Sequence, residues 1–493
     1  VPTVRLYFVS DLAGALEPCG CTKDQLGGLD HAAAWMAAEH AHAPVSALAL
    51  AGPTFFMNAS LTAEHKDQDV AKAETIADSL KSLGCAAFAP GENDWVGGDA
   101  ELIKLRNSTG GALLVSNFDP GSDAAVASKI VTLNGVRVGF IGVGALAGGS
   151  TFPRASAAEA VKAQVAKLKT QGANVFVALA SVGRGEAKRI ADLVPDLLAI
   201  VVGSATTDGE GNTETPPGER VGGVIIAETG NHMQSVGVLD LFVRGGSFVF
   251  GDATGFDAAR KRTDLTRRVD ELHVKIANWE KDGTIARIDL DARRADLSKL
   301  EAERGQLDER PAPSSGSFFR YAVKEIRPSL GREPSVAAKL GGYYKSVNDH
   351  NRFAFANRLP PPPVGAQPSY VGVHVCAGCH GAAKVFWDTT RHAHAYPTLS
   401  FQNKQFNLDC VSCHVTGYDK PGGSSVTHVA NLENVQCEVC HGPGSLHAAS
   451  PKVDPPNKHP KEDLCLACHH PPHVEAFDAK AKMSDILGPG HSR

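Results

Sequence analysis

Eight of the eleven cysteines fall in four C-x-x-C-H units: CAGCH (376–380), CVSCH (410–414), CEVCH (437–441) and CLACH (465–469). Two thiols three positions apart with a histidine directly after the second suit the covalent capture of haem c. Each thiol adds to one vinyl group, and the imidazole faces the iron from the proximal side. A single unit also suits half of a zinc site; four units, each with the terminal histidine, point to haem. The attachment residues are therefore Cys376, Cys379, Cys410, Cys413, Cys437, Cys440, Cys465 and Cys468, and the proximal ligands are His380, His414, His441 and His469.

The far side of each iron decides its use. A second strong ligand closes it for electron transfer, whereas an open position lets a small molecule bind and react. Nine further histidines lie in the same segment: His374, His392, His394, His428, His447, His459, His470, His473 and His491. Context singles out four of them as distal candidates. His447 follows its motif on a GPG turn, His392 and His394 sit in WDTTRHAHAYPTL, which reads as a helix, and His491 ends ILGPGH. Met483 is the only methionine of this segment, so His/Met ligation cannot be general and low-potential haems with two histidines are expected.

These motifs occupy the end of a chain of 493 residues, 43% hydrophobic and 21% charged with a net charge of −5. That length allows several domains, and the charge gives no reason to expect a nucleic-acid partner. Apolar runs such as VRVGFIGVGALAGG are of strand length, too short to span a bilayer. The start shows no charged region followed by an apolar one. Together with haem attachment, which in bacteria takes place outside the cytoplasmic membrane, this fits an exported protein whose signal peptide has been removed, in the periplasm or outside the cell.

Up to about residue 250, strand-like runs (VRLYFVSD, VSALALAG, VRVGFIGVG, ANVFVALASV, LLAIVVG, VGVLDLFV) alternate with helical stretches such as QDVAKAETIADSLKSLG. The alternation predicts a layered α/β domain over 1–250. From 257 to 310, Leu265, Val269, Leu272, Ile276 and Trp279 recur at alternating fours and threes. This predicts a helical hairpin, with two separate surface helices as the alternative. PAPSSGS and LPPPPVGAQPSY mark 311–370 as a linker region with a proline-rich connector, after which 371–493 forms a mostly helical and irregular haem module.

The residues PSYVGVHVCAGCH, FWDTTRHAHAYPTL, LDCVSCHVTGY and NVQCEVCHGPGSLH make the last quarter of the chain resemble the tetrahaem cytochromes of nitrifying bacteria that take electrons from hydroxylamine oxidoreductase. The resemblance implies four closely stacked haems passing electrons, mostly with two histidine ligands, in a family where one haem can have an open side. Over residues 4–245, VRLYFVSDLAG, LGCAAFAPGENDWVGG, VPDLLAIVVGSATT and IIAETGNHMQSVGVLDL resemble the calcineurin-like metallophosphoesterases of the five-prime nucleotidase kind. That resemblance implies a four-layer αββα sandwich with two metals on strand-end loops.

The metal ligands that this second resemblance implies are mostly replaced. Asp11 stands where the first aspartate belongs, but the following histidine is Ala13 and the bridging aspartate is Pro53. The next run reads Glu92, Asn93, Asp94 without its histidine, although Glu92 or Asp94 could still reach a cation. Ser181, Ser204 and Thr206 stand at the later histidine positions. Cys19, Cys21 and Cys85 lie in segments bordering that site. They suit either a disulfide between Cys85 and one of the pair or an additional metal or redox-thiol site with Asp11.

The expected function is electron transfer through four haems c, with redox protein partners as donor and acceptor. A membrane-associated respiratory complex or a homo-oligomer is the assembly open to it, and the first domain serves for docking or ligand binding. A haem enzyme acting on a small nitrogen or sulfur compound and a metal-dependent phosphoesterase with a cytochrome appendage are the alternatives. The motif count predicts four haems per chain, measured as pyridine haemochrome absorbance against protein concentration. Replacing Cys410 and Cys413 together by alanine is expected to lower the count to three.

Overall fold

The computed structural model describes residues 1–491 apart from 19–24, 121–124, 147–155, 210, 282–285, 308–312, 471–473 and 475–476. Its strands are β1 (Val4–Ser10), β2 (Ser46–Gly52), β3 (Cys85–Pro90), β4 (Ala112–Leu113), β5 (Ser128–Leu133), β6 (Val136–Val143), β7 (Val175–Ser181), β8 (Ala199–Gly203), β9 (Glu219–Val221), β10 (Val224–Ala227), β11 (Ser235–Phe242), β12 (Phe250–Asp252) and β13 (Ser317–Glu325). The longer helices are α1 (Leu29–Glu39), α2 (Lys66–Ser82), α3 (Asp99–Thr109), α4 (Ala157–Thr170), α5 (Arg184–Leu193), α6 (Phe256–Lys281), α7 (Arg287–Gln306) and α8 (Pro334–Ala354).

The strands form two sheets, ordered β12-β13-β11-β1-β2-β3-β4 and β5-β6-β7-β8-β10-β9. Strands β1 to β4 are parallel, so each connection must cross over through a helix, and α1, α2 and α3 supply the crossovers. Alternation along β1 sorts its side chains. Val4, Leu6 and Phe8 enter the core between the sheets with Val138, Phe140 and Val177, whereas Tyr7 and Val9 face the outer helical layer. Helices α4 and α5 cover the far face of the second sheet through Val161, Leu168 and Ile190. The result is the four-layer αββα order expected from the sequence.

The region read as a linker differs. Strand β13 lies inside the first sheet, between β11 and β12, and pairs with β11 from Ser235↔Glu325 to Phe242↔Phe318. Helix α8 packs Val336, Leu340, Tyr343 and Val347 into the core shared with α1 and α2. SFFRYAV carries the alternating apolar pattern, but it is a single run separated from its sheet by the helical pair, and strand pairing is non-local. Helices α6 and α7 are thus an insertion between β12 and β13. Ion pairs Lys261–Glu303 (2.7 Å) and Arg294–Glu280 (2.6 Å) join their opposite ends, so they run antiparallel.

Beyond residue 371 the chain has short helices and no strand among the described residues. Its cluster of buried apolar side chains is small: Tyr396, Val411, Val415 and Val429. Val385, Leu446 and Leu466, near the attachment motifs, are exposed. Val373, Leu399, Leu408, Val426 and Leu432 are buried outside that cluster, so the apolar side chains of this segment are scattered rather than gathered in one large core.

A chain ending at Phe250 lacks β13 and leaves β11 as an open edge. It is expected to lose the cooperative thermal unfolding, followed by circular dichroism, that a chain ending at Arg358 keeps.

Candidate functional site

Three of the motif histidines face a second imidazole across a gap of constant width. Ring centres are 6.1 Å apart for His380 and His447, 6.2 Å for His392 and His469, and 6.0 Å for His441 and His491, with interplanar angles of 29°, 41° and 30°. An imidazole nitrogen sits about 2 Å from a bound metal and about 1 Å from its own ring centre, so one metal between two imidazoles sets ring centres roughly 6 Å apart. The donor set therefore fits an iron with histidine on both sides.

Hydrogen bonds on the other ring nitrogens fit the same geometry. Nδ1 of His414 bonds to Ala395 O (2.6 Å), that of His441 to Asn457 O (3.0 Å), that of His447 to Val453 O (2.6 Å) and that of His491 to Gly488 O (3.1 Å). A carbonyl oxygen only accepts, so each Nδ1 carries the proton and the lone pair lies on Nε2. Burial pushes His392, His441 and His469 below the ordinary imidazole value, which favours the neutral form that ligates metal. The thiols also lie near one another in pairs, Cys376 by Cys437 and Cys413 by Cys468, close enough to act on each other electrostatically.

Two polar side chains around Cys437 set this arrangement. The buried Glu438 carboxylate accepts from Val371 N (3.0 Å), Gly372 N (2.7 Å) and Gly444 N (2.7 Å). Gln436 accepts from Val373 N at 2.6 Å and donates to Asn431 O and Glu433 O. Together they join the chain entering the first motif to the turn that carries His447. Sequence reasoning missed both roles. The available signal was that Glu438 is the only charged residue between the cysteines of any motif.

Of the other distal candidates, His394 is used differently: its Nε2 donates to Asp388 O at 3.0 Å, and it faces no motif histidine among the described residues. His428 lies against Thr427 Oγ1 at 3.1 Å. His473 is outside the described residues.

The strand-end loops of the first domain hold their acidic groups in internal bonds. Asp11 Oδ1 accepts from Ser204 N and Oδ2 from Ser204 Oγ, both at 2.8 Å. Asp94 accepts from Thr54 N (3.0 Å), Phe55 N (2.7 Å) and Gly91 N (3.1 Å), which uses both oxygens and leaves it aimed at the backbone rather than at a cation. Asn93 is bonded to Met57 O and Thr207, and Ser181 to Gly52 N and Ala89 O. A Cβ on Gly52 would lie 1.8 Å from Asp11 Oδ1, so glycine lets the carboxylate press against the backbone there. Among the described residues no three His, Cys, Asp or Glu side chains form a metal-binding group.

Cys85 does not join Asp11. It pairs across from Leu48, which is level with Tyr7, so it sits about four residues, roughly 13 Å, back along the parallel strands from Asp11. It is a free, buried thiol, which burial pushes up to about 12, and it takes part in neither the disulfide nor the metal site expected of it. Cys19 and Cys21 lie outside the described residues.

Residues 375–442 match the family described as cytochrome c554 and c-prime. The match spans the first three motifs, and the fourth lies beyond it. Over 97 residues the chain is 33% identical to cytochrome c-554 of Nitrosomonas europaea, which is 16% of this chain and 41% of that protein. The chain thus spans less than half the length of the curated relative it matches. Among solved structures it is similar to a 5'-nucleotidase precursor from Thermus thermophilus, with a TM-score of 0.46, 15% identity, and 73% of this chain and 61% of the other covered. It is also similar to a sulfate thiohydrolase of Thermus thermophilus, with a TM-score of 0.46, 12% identity, and 79% and 68% covered. The layer order described above stands on this chain's own strands. Two of the histidine pairs include a residue beyond the matched segment, His469 and His491.

Burial raises Asp11 from 3.8 to about 6. A carboxyl whose folded value is raised costs the folded state stability once ionised, so the cost is absent below about pH 4, grows to about pH 6 and is constant above it. Asp11→Asn keeps the bond to Ser204 N and turns its amide onto Ser204 Oγ. It is expected to stabilise the chain by about 2 kcal/mol near pH 7.5 and to change little near pH 4, read by differential scanning calorimetry. A loss of stability near pH 7.5 would show that the Asp11 charge is in use.

Proposed function

We propose that this chain is an exported electron-transfer protein carrying four haems c, one at each C-x-x-C-H unit, with His380, His414, His441 and His469 as proximal ligands. His447 is the distal ligand opposite His380, His392 opposite His469, and His491 opposite His441. The observation that carries this reading is the set of three imidazole pairs, each with ring centres close to 6 Å apart. A bound haem supplies a one-electron Fe(III)/Fe(II) couple.

The protein's part is to hold both imidazoles of a pair in place in either oxidation state. For His441, His447 and His491, Nδ1–H bonds to backbone carbonyls do this by setting the ring orientation. Two histidine ligands also shut out small molecules, which favours a carrier over a catalyst at these three sites. The thiol pairs Cys376–Cys437 and Cys413–Cys468 bring the first attachment point beside the third and the second beside the fourth. His392, lying after the first motif, reaches the histidine of the fourth. The four sites are therefore one connected unit, as passage of electrons along them requires.

The first domain serves as a scaffold in this reading. Its strand-end carboxylates are engaged by Ser204 and by backbone N–H groups, which argues against phosphoester hydrolysis. Among the described residues no helix is long and apolar enough to cross a membrane. Redox proteins are the partners that the cytochrome-like segment implies.

Low-temperature electron paramagnetic resonance of the oxidised protein tests the ligand assignment. His447→Ala, His392→Ala and His491→Ala are each expected to turn one low-spin ferric signal high-spin with the haem count unchanged, and His394→Ala to leave the spectrum as it was. A low-spin spectrum left unchanged by each of the three substitutions, with the haem count retained, would remove the assignment. Phosphate release from nucleotides with magnesium, manganese or zinc, abolished in Asp11→Ala, would restore the hydrolase.

A further inference from the structure

The residues leading into the second attachment motif are held by the first domain. Asn351 Nδ2 donates to Phe406 O at 2.9 Å, and Gln68 Oε1 accepts from Leu408 N at 3.0 Å. Lys72 Nζ meets Asp409 Oδ2 at 2.7 Å, and Lys404 Nζ reaches Glu17 Oε1 at 2.6 Å. Gln68 and Lys72 stand on α2, Asn351 on α8, and Glu17 in the loop after β1. Gln68 and Asn351 also bond to each other at 3.0 Å, so the two helices act as one seat.

Two tyrosines of α8 lie at this seat. Tyr343 and Tyr344 pack edge to face with ring centres 5.0 Å apart, and Lys404 Nζ lies 4.1 Å from the Tyr344 ring centre. Tyr343 is 5% exposed, and its hydroxyl has no hydrogen-bond partner among the described residues. The charged and titratable groups acting on that hydroxyl are Lys72, Asp409, Asp69 and Cys410, the first thiol of the second motif. A buried hydroxyl without a partner is uncommon and calls for a use. Here it lies within electrostatic reach of Cys410 and of the half-buried Lys72–Asp409 ion pair, which joins the two domains.

We propose that the first domain forms one wall of the second haem site, and that Tyr343 with the Lys72–Asp409 pair sets the reduction potential of the haem held at Cys410 and Cys413. This rests on the haem reading above. Reduction adds one negative charge at the iron, so fixed charges and dipoles in a poorly screened wall shift the equilibrium between the two oxidation states. Lys72 favours the reduced form and Asp409 opposes it. The phenol adds a dipole that no other hydrogen bond has claimed. Among the described residues Cys410 is the one attachment thiol that acts on the Tyr343 hydroxyl, so the change in potential is expected at this site.

The test is a potentiometric titration of the full chain, followed by visible absorbance and electron paramagnetic resonance, with haem counted in every sample. Tyr343→Phe keeps the ring and its packing. It is expected to retain four haems and to move one midpoint potential while the other three stay. Lys72→Met is expected to lower that same midpoint, because a fixed positive charge is removed. Four unchanged midpoints in Tyr343→Phe, with four haems present, would overturn the proposal, as would a shift spread over all four. If Lys72→Met does not fold, Tyr343→Phe alone decides. Absence of covalent haem from the unaltered chain would instead remove the haem reading itself.

Discussion

Two imidazoles held opposite each other with ring centres about 6 Å apart is the constraint that organises the C-terminal segment. The partners are far apart in sequence, 380 with 447, 392 with 469 and 441 with 491, so the chain has to fold back on itself three times to meet it. It does so without a sheet, using short helices and rigid Gly-Pro turns. Its four-residue apolar cluster is too small to organise these crossings. Buried polar groups take that role instead: Glu438 and Gln436 satisfy backbone N–H groups of segments more than sixty residues away.

The first domain shows the opposite balance. Its two sheets and outer helices bury a large apolar core, and its strand-end loops have turned acidic groups into internal fasteners. Asp94 gathers three backbone N–H groups of two loops, and Asp11 ties the end of β1 to the end of β8. A buried carboxylate satisfied in this way stabilises loop geometry but carries a desolvation cost, seen as a rise of Asp94 to about 7. The same loops in a metal-dependent hydrolase would have to leave lone pairs directed outward. Here they point inward, where they hold the loops together.

The two halves meet through a few well-placed groups rather than a broad apolar face. Lys72 is buried between Asp69 and Asp409, and such a pair specifies one orientation because breaking it leaves an unpaired buried charge. Arg358 adds a contact on the rim, at 2.5 Å from Asp419 and also to Glu64. The proline-rich segment after it therefore does not let the cytochrome-like part swing freely. The seat on α2 and α8 fixes the approach of the second motif.

The sequence by itself determined the attachment chemistry, because C-x-x-C-H is a local demand: thiols and imidazole act within one short turn, and their spacing is visible in a string of letters. It also determined the layered α/β class, through alternating apolar runs. It identified His392, His447 and His491 as able to reach a haem but ranked His394 beside them, since two histidines two apart differ only in which way each ring turns. Tertiary structure decided the rest. Which histidine faces which, that Cys85 lies a strand's length from Asp11, that β13 completes a sheet from beyond an inserted hairpin, and that Glu438 joins the first motif to the third all depend on contacts between distant residues. No local pattern encodes such contacts, because their free energy comes from burial and hydrogen bonds that exist only once the chain has closed on itself.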